Sequence, residues 1–253
     1  MDAGRDPSGP DPMGSVARRG GRESGNAKQS ATPTLDDEAI DALVGEVPEL
    51  APLLAPLREA AAAIVSSFDA GGTLFLTGNG GSLADCLHLA GELKKSFETA
   101  RPLPPWLARA LRDIPGGEQL AAHLQAGLPV VVLGADPVFA TAVDNDIAMR
   151  HMQFAQELVA LGKPGDVLLA ISSSGRSRNV MNAALVASAM DMPVLLLTGD
   201  APSPLSDLAD VVVHAPASST ATVQSLHSRI YHALCRVIEK TLFPVDVPDT
   251  TIR

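Results

Sequence analysis

Five short apolar runs, at residues 73–77, 129–133, 166–171, 193–198 and 210–214, are separated along this chain by stretches with helical periodicity. That alternation constrains the fold more than any other feature. A run that is apolar at successive positions must be buried on both faces. Strands that alternate with helices join as right-handed crossovers into a parallel sheet covered on each side. The expected class is therefore α/β, a three-layer, doubly wound, five-stranded parallel sheet. Extra N-terminal helices are expected over residues 35–69, where Leu54, Leu57, Ala61, Ile64 and Phe68 recur at helical spacing and Gly71-Gly72 ends the pattern.

In sheets of this kind ligands bind beyond the carboxyl ends of the strands. Two loops rich in small and hydroxyl residues fall there: Gly78-Asn79-Gly80-Gly81-Ser82 after the first run, and Ser172-Ser173-Ser174-Gly175-Arg176-Ser177 after the third. Hydroxyls, close-approaching backbone N–H groups and helix N-termini are what an anionic phosphate needs. The first loop lacks the third glycine of a dinucleotide fingerprint, and no Gly-Lys-Ser/Thr follows it as in a P-loop.

Composition narrows the partners. With 3% aromatic residues and a net charge of −10, the chain offers neither base-stacking platforms nor a basic stripe, so nucleic acid is not an expected partner. No uninterrupted apolar run is of membrane-spanning length, and Arg18, Arg19 and Arg22 are not followed by the apolar segment of a secretory signal. The two cysteines, Cys86 and Cys235, fall in different helical stretches and form no C-x-x-C motif, in keeping with reduced thiols and a cytoplasmic location. Residues 1–34 are rich in Gly, Pro, Ser, Asp and Arg and are expected to be a disordered tail. The remainder reads as one domain, 35–243, interrupted by an insertion at 98–127 that carries a short helical run over 106–112 and a break at Pro115-Gly116-Gly117. The tail 244–253 has no periodicity.

Two helices carry side chains with chemistry. After the first loop, Ser82, Asp85, His88, Glu92 and Lys95 fall at steps of three and four and form one polar stripe. Such stripes are commonly solvated faces. This one starts at a phosphate-type loop, and its His88–Glu92 pair can share a proton or a metal. The second helix, over residues 222–242, has an apolar stripe of Val223, Leu226, Ile230, Leu234, Val237 and Thr241. Gln224 and His232 point away from that stripe, about 80° apart around the axis and about 12 Å apart along it. On its own His232 reads as a surface or interface histidine, and His227 sits at the stripe's edge. Asp144-Asn145-Asp146 follows a strand-like segment and reads as a helix cap. Tyr231 and Arg176 are pocket candidates.

Taken in order, L-F-L-T-G-N-G-G-S-L-A-D-C-L-H-L-A-G-E-L from Leu74, N-D at Asn145, G-D-V-L-L-A-I-S-S-S-G-R-S from Gly165, V-L-L-L-T-G from Val194, and T-A-T-V-Q-S-L-H from Thr220 on to His232 resemble the sugar isomerase (SIS) domain family and, within it, the phosphoheptose isomerases. The resemblance covers residues 50–243 apart from the insertion. It implies the flavodoxin-like SIS fold and isomerisation of sedoheptulose 7-phosphate to D-glycero-D-manno-heptose 7-phosphate, the first step of nucleotide-activated heptose biosynthesis, with no nicotinamide. It also implies Glu92 and His232 as catalytic residues. Substrate and phosphate contacts would come from Asn79, Gly80, Gly81, Ser82, Asp146, Ser172, Ser173, Ser174, Ser177 and Gln224. One zinc ion per site would be held by His88, Glu92, Gln224 and His232. A homotetramer with active sites at subunit contacts is implied too, in which Gln224 and His232 reach a partner's helix.

The chain departs from the family pattern at Ser173, Arg176, Thr222 and Ser225, and at Ser96, where the family commonly has an arginine four residues after the catalytic glutamate. Lys94 or Lys95 is the candidate to supply that charge. Two other readings stay open at this point. One is a non-catalytic SIS protein that binds a partner, although such relatives lack the Glu–His pair kept here. The other is an SIS enzyme acting on an amino-sugar phosphate, which predicts turnover of N-acetylated hexose phosphates.

Overall fold

Every side chain of the first strand, Leu74-Phe75-Leu76-Thr77, is buried, which requires a covering layer on each face. The computed structural model of the protein describes residues 34–35 and 38–244. In chain order the elements are α1 (Glu38–Glu46), a 3-10 turn (Pro48–Leu53), α2 (Leu54–Asp69), β1 (Leu74–Thr77), α3 (Gly81–Leu93), α4 (Pro105–Arg112), α5 (Gly117–His123), β2 (Val130–Val132), α6 (Pro137–Asp146), α7 (Gln153–Leu161), β3 (Val167–Ile171), α8 (Arg178–Ala189), β4 (Val194–Thr198), β5 (Val211–His214) and α9 (Thr220–Leu242). All five expected strands are present, each within a residue or so of the expected bounds. The expected disorder of residues 1–34 and the aperiodic tail 244–253 fall, except for Thr34 and Pro244, outside the described residues.

The sheet is wholly parallel in the order β2-β1-β3-β4-β5. Alternate strand residues feed two cores. Leu74, Leu76, Val167, Leu169, Ile171, Leu195 and Leu197 pack with α1, α2, α3 and α9 on one face. Phe75, Leu168, Ala170, Val194 and Leu196 pack with α7 and α8 on the other. The strand order reverses direction between β1 and β3, so the crevice of this doubly wound sheet opens there. The loops leaving those two strands are the two hydroxyl-rich loops.

The stretch Pro48–Asp69 is long and apolar enough, by length and composition, to cross a membrane. Here Leu57, Ala60, Ala61, Ile64 and Val65 of α2 are buried in the core. Asp144-Asn145-Asp146 does not cap a helix start. It is the last turn of α6, and the cap at that helix's beginning is Asp136, whose side chain accepts from the Val138 and Phe139 N–H groups. Between α3 and β2 the chain makes an excursion through α4 and α5. Its two ends meet at a Pro102–Gln125 bridge and at the Ala126 N–H to Arg101 C=O bond. The short run over 106–112 is there as α4; α5 was not anticipated.

A buried ion pair fixes the foot of this excursion. Arg101 and Glu239 are each 1% exposed, with Arg101 Nε donating to Glu239 Oε1 at 2.6 Å. Glu239 also accepts the backbone N–H groups of Phe97, Glu98 and Thr99, each at 2.8 Å, and Arg101 Nη1 donates to the Leu93 carbonyl at 2.7 Å. Both charges are thus met by hydrogen bonds from several directions, the condition under which a buried pair is sustained. Burial pushes the Glu239 carboxyl up, but the three N–H groups and Arg101 outweigh it and hold the group below the ordinary glutamate range.

A depressed carboxylate contributes stability that is present above its unfolded value of about 4.3 and lost as pH falls through the lower folded value. Glu239→Gln, which leaves Arg101 buried without a counter-charge, should cost about 3–5 kcal/mol at pH 7. The deficit relative to the unsubstituted protein should narrow below about pH 4. Denaturant melts across pH 3–7 read both effects.

Candidate active site

Gly78 to Gly80 carries the chain from the end of β1 into α3. Gly80 has φ +54°, a conformation that L side chains rarely adopt, and as the residue preceding α3 it leaves the helix start without a side-chain cap. The corresponding start of α8 has Ser177 before it, whose hydroxyl makes no capping bond. Two helix N-termini whose cap residues make no side-chain capping bond therefore border the crevice, a favourable surrounding for an anion.

In the second loop Ser172 is buried and its hydroxyl accepts the Gly175 N–H at 3.2 Å, so it shapes the turn. Gly175 (φ +61°) packs where a Cβ would run into the Ser203 hydroxyl. Ser173 and Ser177 are half-buried, and Ser174 and Arg176 are exposed. Ser82, in the first turn of α3, is buried. Among the sequence candidates, Ser174, Ser173 and Ser177 are the hydroxyls best placed to meet a ligand.

One residue that sequence reasoning did not single out ties the loops together. Asn79 Nδ2 donates to Asn179 Oδ1 at 2.9 Å, and Asn179 Nδ2 donates back to Asn79 Oδ1 at 2.8 Å. Asn179 Oδ1 also accepts the Val180 N–H. This reciprocal amide pair joins the loop after β1 to the first turn of α8. The only sequence signal was an asparagine two residues past a serine-rich loop.

The polar stripe of α3 meets α9 inside one protomer. His88 Nε2 lies 3.3 Å from Glu92 Oε1, and Lys95 Nζ donates to Glu92 Oε2 at 2.8 Å. The His232 ring stands edge-on to His88, centroids 5.0 Å apart, and is stacked on Phe97 at 5.7 Å. Its ring neighbours within the chain are thus His88, Phe97 and Tyr231. The reason lies after α3, where Glu239 gathers the Phe97, Glu98 and Thr99 N–H groups and brings Phe97 back over α9. Tyr231 is buried at 1% exposure, and its hydroxyl is 3.1 Å from His88 Nδ1. His227 is buried too, with Nε2 3.3 Å from the Thr198 carbonyl oxygen.

Electrostatics divide the roles. The Lys95 hydrogen bond, assisted by His88, holds the Glu92 carboxyl below the usual range, so it is ionised at neutral pH. Of the two lysines next to Ser96, it is Lys95 that pairs with Glu92. Burial, with smaller contributions from His88 and Arg236, pushes His232 below the ordinary imidazole value against the pull of Glu92 and Glu98. His232 is accordingly neutral at pH 7 and free to take up and return a proton.

Gln224 is elsewhere. Its amide lies against Gly81, where an added Cβ would collide with Nε2, two turns up α9 from His232. Asp146 is exposed on the last turn of α6, where it accepts from Asn145 Nδ2 at 2.8 Å. Among the described residues no three imidazole, carboxylate or thiol groups are gathered as a ligand set. The His232 ring adjoins the His88–Glu92 pair without completing such a set, and imidazole and carboxylate are donor types that zinc takes.

The comparisons with known proteins agree with this architecture. The SIS domain family model matches residues 147–237. The chain is 37% identical over 202 residues to the phosphoheptose isomerase of Thiobacillus denitrificans, covering 78% of this chain and 90% of that protein. It is 35% identical over 193 residues to that of Shewanella sediminis, covering 75% and 85%. The chain belongs to the phosphoheptose isomerase family. The solved phosphoheptose isomerase of Francisella tularensis superimposes with a TM-score of 0.62 at 29% identity, covering 80% of this chain and 93% of that one. That of Neisseria gonorrhoeae gives 0.61 at 29% identity, covering 80% and 94%.

Asn179→Ala should unlatch the two loops. Loss of the paired amides is expected to cost about 1–3 kcal/mol of stability. With the loops as the expected phosphate site and the α3–α9 cluster untouched, KM for a sugar phosphate should rise more than kcat falls. Steady-state kinetics together with a thermal melt check both.

Proposed function

We propose that this chain converts sedoheptulose 7-phosphate to D-glycero-D-manno-heptose 7-phosphate by proton transfer through an enediol. The observation that carries the reading is the convergence of an ionised carboxylate, Glu92, and a neutral imidazole, His232, around His88 at the α3–α9 contact. Ketose–aldose isomerisation needs those two functions. Glu92 is the base that removes a proton from C1 and returns it to C2. His232 delivers a proton to the O2 carbonyl oxygen and takes one from O1, so the reaction is redox-neutral. The phosphate is held by Ser173, Ser174 and Ser177, with Ser82, Ser172, Asn79, Gly80 and Gly81 shaping the backbone around it and the N-termini of α3 and α8 favouring its charge. Arg176, exposed beside Ser174, adds positive charge at the mouth.

The zinc expectation is part of the same proposal. His88, Glu92 and His232 would hold the ion, and Gln224 and Asp146 are the remaining candidates for ligand or substrate contact. Bound zinc supplies polarisation of the carbonyl and enediolate oxygens. Self-association is also proposed, as a homotetramer with sites at subunit contacts. In its support, Ser82 and Glu92 are ten residues apart on one helix, about 15 Å along its axis, so phosphate loops and catalytic groups of one protomer are well separated. A cytoplasmic location and a place at the start of heptose biosynthesis complete the reading.

Purified protein incubated with sedoheptulose 7-phosphate should yield the aldose phosphate. A chelator should slow the reaction, and added zinc should restore it. No product with zinc supplied would leave a binding role, and turnover of N-acetylated hexose phosphates in its place would point to the amino-sugar reading. Glu92→Gln should lower kcat by about 10²–10⁴ with phosphate binding nearly unchanged; a variant as active as the parent would remove Glu92 from the mechanism.

A further inference from the structure

The Glu92 carboxylate is flanked by two groups that packing holds only loosely. Lys95 Nζ donates to Oε2 at 2.8 Å, and His88 Nε2 stands 3.3 Å from Oε1. The Lys95 and His88 side chains are 58% and 49% exposed, so each has room to swing away. Tyr231 is different. It is the chain's single tyrosine, almost wholly buried on α9, with its ring edge-on to both His88 (centroids 5.7 Å) and His232 (4.8 Å). Its hydroxyl lies 3.1 Å from His88 Nδ1, on the side of the imidazole away from Glu92.

Which nitrogen of His88 carries the proton follows from what faces each one. A neutral imidazole has one N–H and one bare lone pair. Glu92 is ionised and offers only lone pairs, so a bare Nε2 beside it would set two acceptors against each other. The proton therefore sits on Nε2. Nδ1 is then the acceptor, and the Tyr231 hydroxyl donates to it. Burial is the largest influence on this phenol and pushes its pKa up, so at neutral pH it keeps the proton that it donates. Asp85 Oδ2, on the same helix as His88, makes no hydrogen bond and does not draw that proton away.

We infer that Tyr231 is a positioning residue: its buried hydroxyl holds the half-exposed His88 ring as the Nε2–H tautomer, with that N–H against Glu92, and so fixes the orientation of the base. The inference rests on the reading of Glu92 as the base given above, and it does not depend on the metal. A hydroxyl accepts as well as donates, so Tyr231 would serve an Nδ1–H equally where Nε2 is given up to zinc. The anchor comes from α9, the helix that also carries His232, so one buried phenol sets the α3 side of the cluster against the α9 side.

Tyr231→Phe removes the hydroxyl and keeps the ring that packs on both histidines. In chelator-treated protein, nitrogen-15 NMR of the imidazoles, with the His88 signals assigned by their loss in His88→Gln, should show the Nε2–H form in the parent and a mixture of tautomers in Tyr231→Phe. In the protein as purified, kcat should fall about 2–10-fold, the worth of one hydrogen bond, with KM nearly unchanged. Added to His88→Gln, the same substitution should cost nothing further, because its route to Glu92 is gone. Should Tyr231→Phe fail to fold, 3-fluorotyrosine incorporated at this single tyrosine makes the hydroxyl a stronger donor in place and should shift the His88 Nδ1 resonance. An Nδ1–H signal in the metal-free parent, or a His88 spectrum indifferent to both changes at Tyr231, would overturn the role of the tyrosine and leave Glu92 as the base. A parental rate in Glu92→Gln with the Nε2–H signal intact would overturn the base reading, and with it the catalytic half of this inference.

Discussion

The contact between α3 and α9 is the constraint on which the chemistry depends. One helix leaves the end of β1 and the other closes the fold after β5, so side chains more than a hundred residues apart must be brought into register to within an ångström or so. Apolar packing alone does not define a register that fine, because leucines on a stripe tolerate small slides. The Glu239 carboxylate does. By collecting three consecutive N–H groups and Arg101, it ties the chain segment after α3 to the last turns of α9. Phe97 is carried onto His232 as a result, and His88 and Glu92 meet Tyr231 and His232 from the opposite helix.

The site accordingly has two parts with different physical origins. The phosphate part is a product of topology. A parallel sheet whose order reverses between β1 and β3 opens a crevice there, and the loops that line it need only glycine, serine and helix starts. The catalytic part is a product of side-chain packing on the helical layer. Glu92 is polarised by Lys95 from just past the end of its helix, while His232 is desolvated by rings from three segments. Lys95, one residue before the position where the family commonly has an arginine and just past the end of α3, sets a positive charge beside Glu92.

Much of the fold was legible because parallel strands leave the plainest signature: valine and leucine at successive positions, which no amphipathic helix or surface loop reproduces. Both phosphate loops followed from those strands. The stripe on α3 could be read from spacing, and with it Asp85, His88 and Glu92. What spacing could not show was which polar residues are buried. His227, Tyr231 and Glu239 lie on faces of α9 that a hydropathy pattern assigns to solvent or to its border, and each is buried because a specific partner awaits it: the Thr198 carbonyl, His88, and Arg101 with its loop. Asp146 was misplaced for a related reason, since an acidic turn resembles a helix start and a helix end equally well unless the flanking cap, here Asp136, is recognised. Asn179 escaped notice because its role exists only through Asn79, a hundred residues earlier.

The link between those two asparagines is uncharged at both ends. Neither amide titrates, and neither attracts counter-ions. The link between the two glycine- and serine-rich loops is thereby insulated from acidity and from ionic strength, whereas the carboxylate and imidazole on the helical layer answer to both. Changes of salt or pH therefore bear on the helical layer, where Glu92 is ionised and His232 titrates, rather than on the link that spaces the two turns.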